Sequence, residues 1–223
     1  MLVAALIPAF REERFIRDVV TRTRAALETV LVIDDGSTDA TGAEAESAGA
    51  TVLRHPSNWG KGAAIKTGLR HLLDQGFDYV LLLDGDGQHL PEEIPRFIEE
   101  TRRSGAQMII GNRLHDLRTM PLVRKITNLF MSACISSVCK QKIPDSQCGF
   151  RMLHRSLIPH VFCETNNFDY ETEMILIAAR QNFSIAAVPI STVYGEEKSK
   201  IHPVRDTIRW LRLLARYRWG NAK

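Results

Sequence analysis

The chain has 223 residues, of which 44% are hydrophobic and 25% charged, with a formal net charge of +3. These proportions are those of a soluble globular protein with a sizeable core, and they remove the need for a disulfide scaffold. No stretch approaches the ~20 consecutive apolar residues that a membrane-spanning helix requires.

In chain order, the first half alternates apolar runs with amphipathic segments. Residues 2–8 read as a buried strand rather than a signal peptide, because Arg11, Glu12 and Glu13 follow at once. A helix with Phe15, Val19 and Ala26 comes next. Residues 30–33 form a second strand that ends in Asp34-Asp35-Gly36-Ser37, and Thr38 or Asp39 caps a helix through Ser47. Residues 51–53 are a third strand, and 60–73 a helix with Ile65, Leu69, Leu72 and Leu73 on one side. A fourth strand, 79–83, ends in Asp84-Gly85-Asp86. Pro91 opens a helix to about Arg103, and 108–111 is a fifth strand. Strands separated by helices of this length imply an α/β fold with a largely parallel sheet. The second half is less regular: a helix over 122–138, a strand over 148–153, a helix over 169–180, a strand over 184–194 broken at Pro189, and a helix over 203–219.

That pattern puts polar sequences at the C-terminal ends of strands, the edge where open α/β sheets bind ligands. Asp84-Gly85-Asp86 offers two carboxylates that can hold a hard divalent cation while leaving positions open for phosphates, with Gln88 as a neutral oxygen. The alternative is a solvated Asp-Gly turn. An EF-hand is excluded, because His89 takes its glycine position and Pro95 that of its bidentate glutamate. In Asp34-Asp35-Gly36-Ser37, one carboxylate accepts from a ribose or base, or both merely shape the turn. Gly60-Lys61-Gly62 matches neither GxGxxG nor GK[ST], although Lys61 and a helix N-terminus suit a diphosphate. Glu171 and Glu173 are catalytic candidates, or simply favourable charges at a helix start. His89 and His202 read as structural or surface groups rather than ligands. None of Cys134, Cys139, Cys148 and Cys163 stands in a CxxC pair, so reduced thiols and no zinc site are expected.

Eight Lys or Arg and one Asp lie between Lys198 and Lys223, so the rest of the chain is net negative. In the last helix Arg205, Arg209, Arg212 and Arg216 fall in a ~60° arc. Ile208, Trp210, Leu211, Leu214 and Tyr217 cover much of the remainder. Such a helix reads as a membrane-surface element, or as one packed on the body with a solvated arginine stripe.

Together, the strand-end motifs resemble inverting glycosyltransferase family 2, with its GT-A fold, and within it the dolichol-phosphate mannose synthase and polyprenyl-phosphate glycosyltransferase group. The resemblance runs from Leu2 to about His202. Pro8-Ala9-Phe10-Arg11-Glu12 is similar to the family's nucleotide segment PAYNE, with Phe and Arg for Tyr and Asn. Asn58-Trp59-Gly60-Lys61-Gly62 matches NxGKG, and Asp84-Gly85-Asp86-Gly87-Gln88-His89 the metal-binding DADxQH. Gly111-Asn112-Arg113 matches GSR. Asp145-Ser146-Gln147-Cys148-Gly149-Phe150-Arg151 matches DxxxGFR, and the segment Tyr194 to Lys200 is similar to YGxxSK.

The resemblance implies that Pro8, Phe10, Glu12, Asp34, Asp35 and Lys61 contact the nucleotide sugar, and that Asp84, Asp86 and Gln88 hold Mg²⁺ or Mn²⁺. It implies that Arg113, Arg124, Lys198 and Lys200 grip phosphates of donor and acceptor. The expected reaction moves a hexose from a GDP- or UDP-sugar to a polyprenyl phosphate. A hydroxyl acceptor is the alternative and would require a base such as Glu171 or Glu173. A sugar nucleotidyltransferase would show a glycine-rich loop that residues 8–12 lack. Residues 1–201 are expected to form the catalytic domain and 202–223 a basic amphipathic helix. Many members of the group add C-terminal transmembrane helices that this chain lacks. The expectation is therefore a cytoplasmic protein, peripheral at a membrane surface or held there by an anchoring partner protein, with no nucleic-acid partner.

Overall fold

A computed structural model describes residues 1–116, 120, 122–167, 169–193 and 203–219. Lys198, Lys200 and the whole 194–200 motif lie outside these described residues. The strands are β1 Val3–Ala9, β2 Thr29–Asp34, β3 Thr51–Arg54, β4 Tyr79–Leu82, β5 Met108–Asn112, β6 Arg151–His154 and β7 Ile185–Pro189. They form one sheet in the order β3-β2-β1-β4-β6-β5-β7. Strand β6 runs antiparallel to both β4 and β5, and every other pairing is parallel. The C-terminal ends of β1, β2, β4 and β5 therefore share one edge.

The helices are α1 Ile16–Arg24, α2 Thr41–Ser47, α3 Lys61–Leu73, α4 Ile94–Ser104, α5 Leu122–Cys139, α6 Asp169–Arg180 and α7 Pro203–Trp219. Four consecutive residues of β1, Ala4, Ala5, Leu6 and Ile7, are fully buried. A continuous apolar run of this kind marks a strand covered on both faces. Helix α1 buries Ile16, Val19, Val20 and Thr23, the i, i+3, i+4, i+7 stripe of a helix lying on a core.

Several boundaries shift from the sequence expectations, and a local reason is visible at three ends, the last of them the break expected at Pro189. Helix α2 begins at Thr41, because the Asp39 carboxylate accepts from the Thr41 amide and hydroxyl in a tight turn before the helix. Strand β6 begins at Arg151 rather than 148. The Cys148 carbonyl accepts from Arg151 Nε instead of a neighbouring strand. Strand β7 stops at Pro189, which has no N–H to continue a ladder.

Helix α7 packs against α5 and α6, with Trp210 and Leu213 buried and Ile208 and Leu211 exposed. Its apolar residues are thus divided between the body and solvent. Leu122, Val123, Ile126 and Phe130 of α5 are exposed as well, so among the described residues α5 shows more exposed large apolar side chains than α7.

Candidate active site

The end of β4 sets the first group. Beyond Leu82 the chain turns. The Asp84 amide donates to Nδ1 of buried His89 at 3.2 Å, and Asp86 Oδ1 accepts from the Gln88 amide at 3.0 Å. An accepting Nδ1 makes His89 a neutral ring. Burial agrees, pushing its pKa down to about 4. The ring stacks on Phe150, with centroids 5.2 Å apart. His89 thus braces the turn after β4 through the Asp84 amide.

The two carboxylates differ in electrostatics. Burial would raise the Asp84 carboxyl, but the Lys61 ammonium holds it down at about 2. Among the described residues Asp86 has no such ion pair, and burial together with the charge of Asp84 pushes it up to about 7. A buried carboxylate beside a like charge is stabilised by a proton or a cation. Among the described residues, no group of three or more His, Cys, Asp or Glu is arranged around an ion. Two carboxylates at an open edge fit a hard cation that takes its remaining ligands from phosphate oxygens and water.

The second group comes from β2 and α3, and its acidic turn faces inward. Asp34 Oδ1 accepts from the Ser37 amide at 2.9 Å, and Oδ2 lies 3.3 Å from Arg54 Nε. Asp35 Oδ1 accepts from the Trp59 amide and from His55 Nδ1, and its Oδ2 from the Gly60 amide at 2.8 Å. Both side chains are almost wholly buried. Asp35 thus ties β2 to the loop before α3. Exposed Trp59 stacks on His55 beside it, with centroids 4.2 Å apart.

The glycines before α3 serve packing. Gly60 has φ 98°, and a Cβ there would lie 2.4 Å from the Asn166 carbonyl oxygen. That same carbonyl accepts from the Gly62 and Ala63 amides at 2.8 and 3.3 Å. The amides expected to meet a diphosphate are therefore used within the protein. Lys61 instead reaches across the edge, 2.5 Å from Asp84 Oδ1 and 2.8 Å from Glu171 Oε1.

The third group belongs to the second half. Arg113, just past β5, grips buried Asp145 in a fork, with Nε–Oδ2 2.7 Å and Nη2–Oδ1 2.9 Å. Its charge also contributes to holding Asp84 ionised. Fully buried Arg151 donates to the carbonyls of Ser146, Cys148 and Glu171. The 145–151 motif is in this way locked to the first turn of α6, and Glu171 is brought to Lys61.

Glu173 goes elsewhere. Its carboxylate accepts from the Thr165 amide and hydroxyl and from the Tyr217 hydroxyl of α7. Two residues of a helix are ~200° apart, so Glu171 and Glu173 cannot face one site. Of the two glutamates expected as catalytic candidates, Glu171 reaches the carboxylate edge, and Glu173 faces Thr165 and Tyr217.

The other expected residues sit as follows. Pro8 is buried, Phe10 half-buried under the Arg11 guanidinium, and Glu12 buried with its amide donating to Thr41 Oγ1. Glu12 is close enough to contribute to the upward shift of Asp86. Gln88 accepts at its carbonyl from the Val193 amide at 3.1 Å. Arg124 is exposed on the first turn of α5. The geometry adds Asp145 and Arg151, both contained in the sequence motif without an individual role, and the stacked pair His55–Trp59, which no sequence signal marked.

The family model described as Glycosyl transferase family 2 matches residues 4–162. The UDP-N-acetylglucosamine–dolichyl-phosphate N-acetylglucosaminyltransferase of Methanococcus voltae is 29% identical over 218 residues, covering 87% of this chain and 87% of that protein. The undecaprenyl-phosphate mannosyltransferase of Micrococcus luteus is 29% identical over 209 residues, covering 88% and 85%. Among solved structures, glucosyl-3-phosphoglycerate synthase of Mycobacterium tuberculosis, in complex with Mn²⁺, UDP and phosphoglyceric acid, superimposes with a TM-score of 0.74 at 16% identity, covering 100% of this chain and 80% of that one.

Proposed function

Since this chain belongs to glycosyl transferase family 2, we propose that it moves a hexose from a nucleotide sugar to a polyprenyl phosphate at a membrane surface. That it is a glycosyltransferase of GT-A fold is the premise, and the acceptor, the donor and the cation are the reading. Both named relatives act on lipid phosphates.

The observation that carries the reading is the Asp84–Asp86 pair just past β4, two half-buried carboxylates at the strand-end edge with Lys61 beside them. Asp84 and Asp86 would hold Mg²⁺ or Mn²⁺, with Gln88 adjoining. Bound there, the cation supplies charge neutralisation for the departing nucleoside diphosphate. Pro8, Phe10, Glu12 and the Asp34–Asp35 turn shape the nucleotide side. The two aspartates act through the backbone they hold, and Trp59 offers an exposed aromatic face beside them.

The acceptor is already an anion. A lipid monophosphate is largely ionised near neutral pH, so it attacks the anomeric carbon without a strong base. Forward catalysis then rests on positioning and cationic stabilisation. Arg113, held rigid by Asp145, Arg124 and the lysines Lys198 and Lys200 are the proposed phosphate contacts. A hydroxyl acceptor fits less well, because Glu171 is already paired with Lys61 and Glu173 is buried with Thr165 and Tyr217.

A lipid acceptor also suits the surface. No helix among the described residues is long and apolar enough to cross a membrane. Leu122, Val123, Ile126 and Phe130 of α5 are nevertheless exposed, next in sequence to Arg124 and Lys125. A cleft of about 410 Å³ between α5 and α7 is lined by Phe130, Val138, Leu211, Leu214 and Arg218, among others. Apolar side chains beside cations favour an anionic bilayer surface. The test is transfer from a panel of GDP- and UDP-sugars to a short polyprenyl phosphate with Mn²⁺ or Mg²⁺. Transfer to sugar hydroxyls alone would overturn the lipid-phosphate reading.

A further inference from the structure

Lys61 is the first residue of α3, Asp84 lies two residues past the end of β4, and Glu171 is in the first turn of α6. The three side chains meet with Nζ 2.5 Å from Asp84 Oδ1 and 2.8 Å from Glu171 Oε1. The Gly149 backbone closes over them: a Cβ there would lie 2.8 Å from Glu171 Oε1, 2.9 Å from Asp84 Oδ2 and 3.1 Å from Lys61 Nζ. A side chain there would have to displace these three charged ends, so the contact gathers groups from four segments of the chain.

One ammonium thus serves two carboxylates, and one of them is the proposed cation ligand. Asp86, the other proposed ligand, shares no such ion pair with Lys61, although the lysine charge contributes to lowering its pKa. A divalent ion bound between Asp84 and Asp86 would stand within a few ångströms of a fixed positive charge, and like charges at that distance in a partly buried site repel strongly.

We propose that Lys61 is the resident counter-ion of Asp84 in the donor-free enzyme, that a divalent cation competes with it there, and that Glu171, already in contact with the lysine, retains it when a nucleoside diphosphate enters with the cation. The inference rests on the reading of Asp84 and Asp86 as the cation site. Glu171 is in this scheme a positioning residue acting through Lys61. With the diphosphate present the sign reverses, because its negative charge makes a neighbouring ammonium favourable. Cation and donor binding are therefore coupled through one side chain, and each strengthens the other.

The experiment measures Mn²⁺ binding by the loss of the free-ion electron paramagnetic resonance signal, for Mn²⁺ alone and for Mn²⁺ with UDP or GDP. Lys61→Met is expected to bind Mn²⁺ alone about tenfold more tightly than wild type, and Mn²⁺ with the nucleoside diphosphate more weakly. Lys61→Arg keeps the charge and is expected to follow wild type. Glu171→Gln leaves the lysine with Asp84 and is expected to weaken Mn²⁺ alone severalfold. In the Lys61→Met background the Glu171 effect disappears. A tighter complex cannot come from misfolding, so the gain separates charge competition from structural damage. Equal or weaker binding of Mn²⁺ alone by Lys61→Met overturns the inference while leaving the cation site standing. Absence of Mn²⁺ binding by wild type in either condition overturns the cation-site reading, and the inference with it.

Discussion

Asp86 is half-buried beside an ionised neighbour, so its contribution depends on what neutralises it. Asp86→Ala removes one of the two proposed ligands and is expected to lower transfer by at least ~10²-fold, read from initial rates at saturating donor. Glu173 makes the contrasting case. Glu173→Gln disturbs buried hydrogen bonds to Thr165 and Tyr217 and is expected to cost about 1–3 kcal/mol in urea unfolding. Metal-dependent nucleotide binding by the folded protein is expected to stay within twofold of wild type, and a large loss would return Glu173 to the site. Asp84 and Asp86 were legible in the sequence because a strand end and a two-residue spacing are local features. Glu173 was not separable from Glu171, because the partner that decides between them, Lys61, is more than a hundred residues away. Asp35 accepts from His55, Trp59 and Gly60, partners twenty or more residues away that no local pattern announces.

At the scale of elements, the start of α3 and the exposed side of α5 carry the consequences. Gly60 has a left-handed φ and almost touches the Asn166 carbonyl. Gly60→Ala is expected to cost about 1–3 kcal/mol, combining backbone strain and the steric contact, and to be visible as a lower urea midpoint. Ile126 and Phe130 are 59% and 61% exposed. Replacing both with Asp is expected to leave the melting temperature within a few degrees while weakening co-sedimentation with anionic vesicles at least ~tenfold. Unchanged vesicle binding would remove α5 from the membrane face. The alternation of strands and helices was readable throughout the first half, because each apolar run is short and bounded by polar turns. The direction of β6 was not, since a short apolar strand has no mark of parallel or antiparallel pairing. For α7 the wheel identified its two kinds of residue but not which apolar ones would be covered by α5 and α6.

Across the whole molecule, the first half supplies the carboxylate edge and the second half folds over it. Arg113–Asp145 and the Arg151 carbonyl clamp brace the second half, and Lys61 bridges the two halves at the site. A ligand seated at that junction should therefore stabilise the entire fold. UDP or GDP at a hundredfold excess over its Kd, with Mn²⁺, adds about 2.7 kcal/mol. For a chain of this size that raises the melting temperature by about 5–10 °C. A chelator is expected to remove most of the shift, and Asp86→Ala to abolish it. The most direct test of the account is mass-spectrometric detection of the lipid product after incubation with nucleotide sugars, Mn²⁺ and a short polyprenyl phosphate. The account predicts a polyprenyl phosphate heavier by one hexose, formed by wild type, suppressed by chelator and lost in Asp86→Ala. Formation of that product at an unchanged rate in chelator or in Asp86→Ala would contradict it.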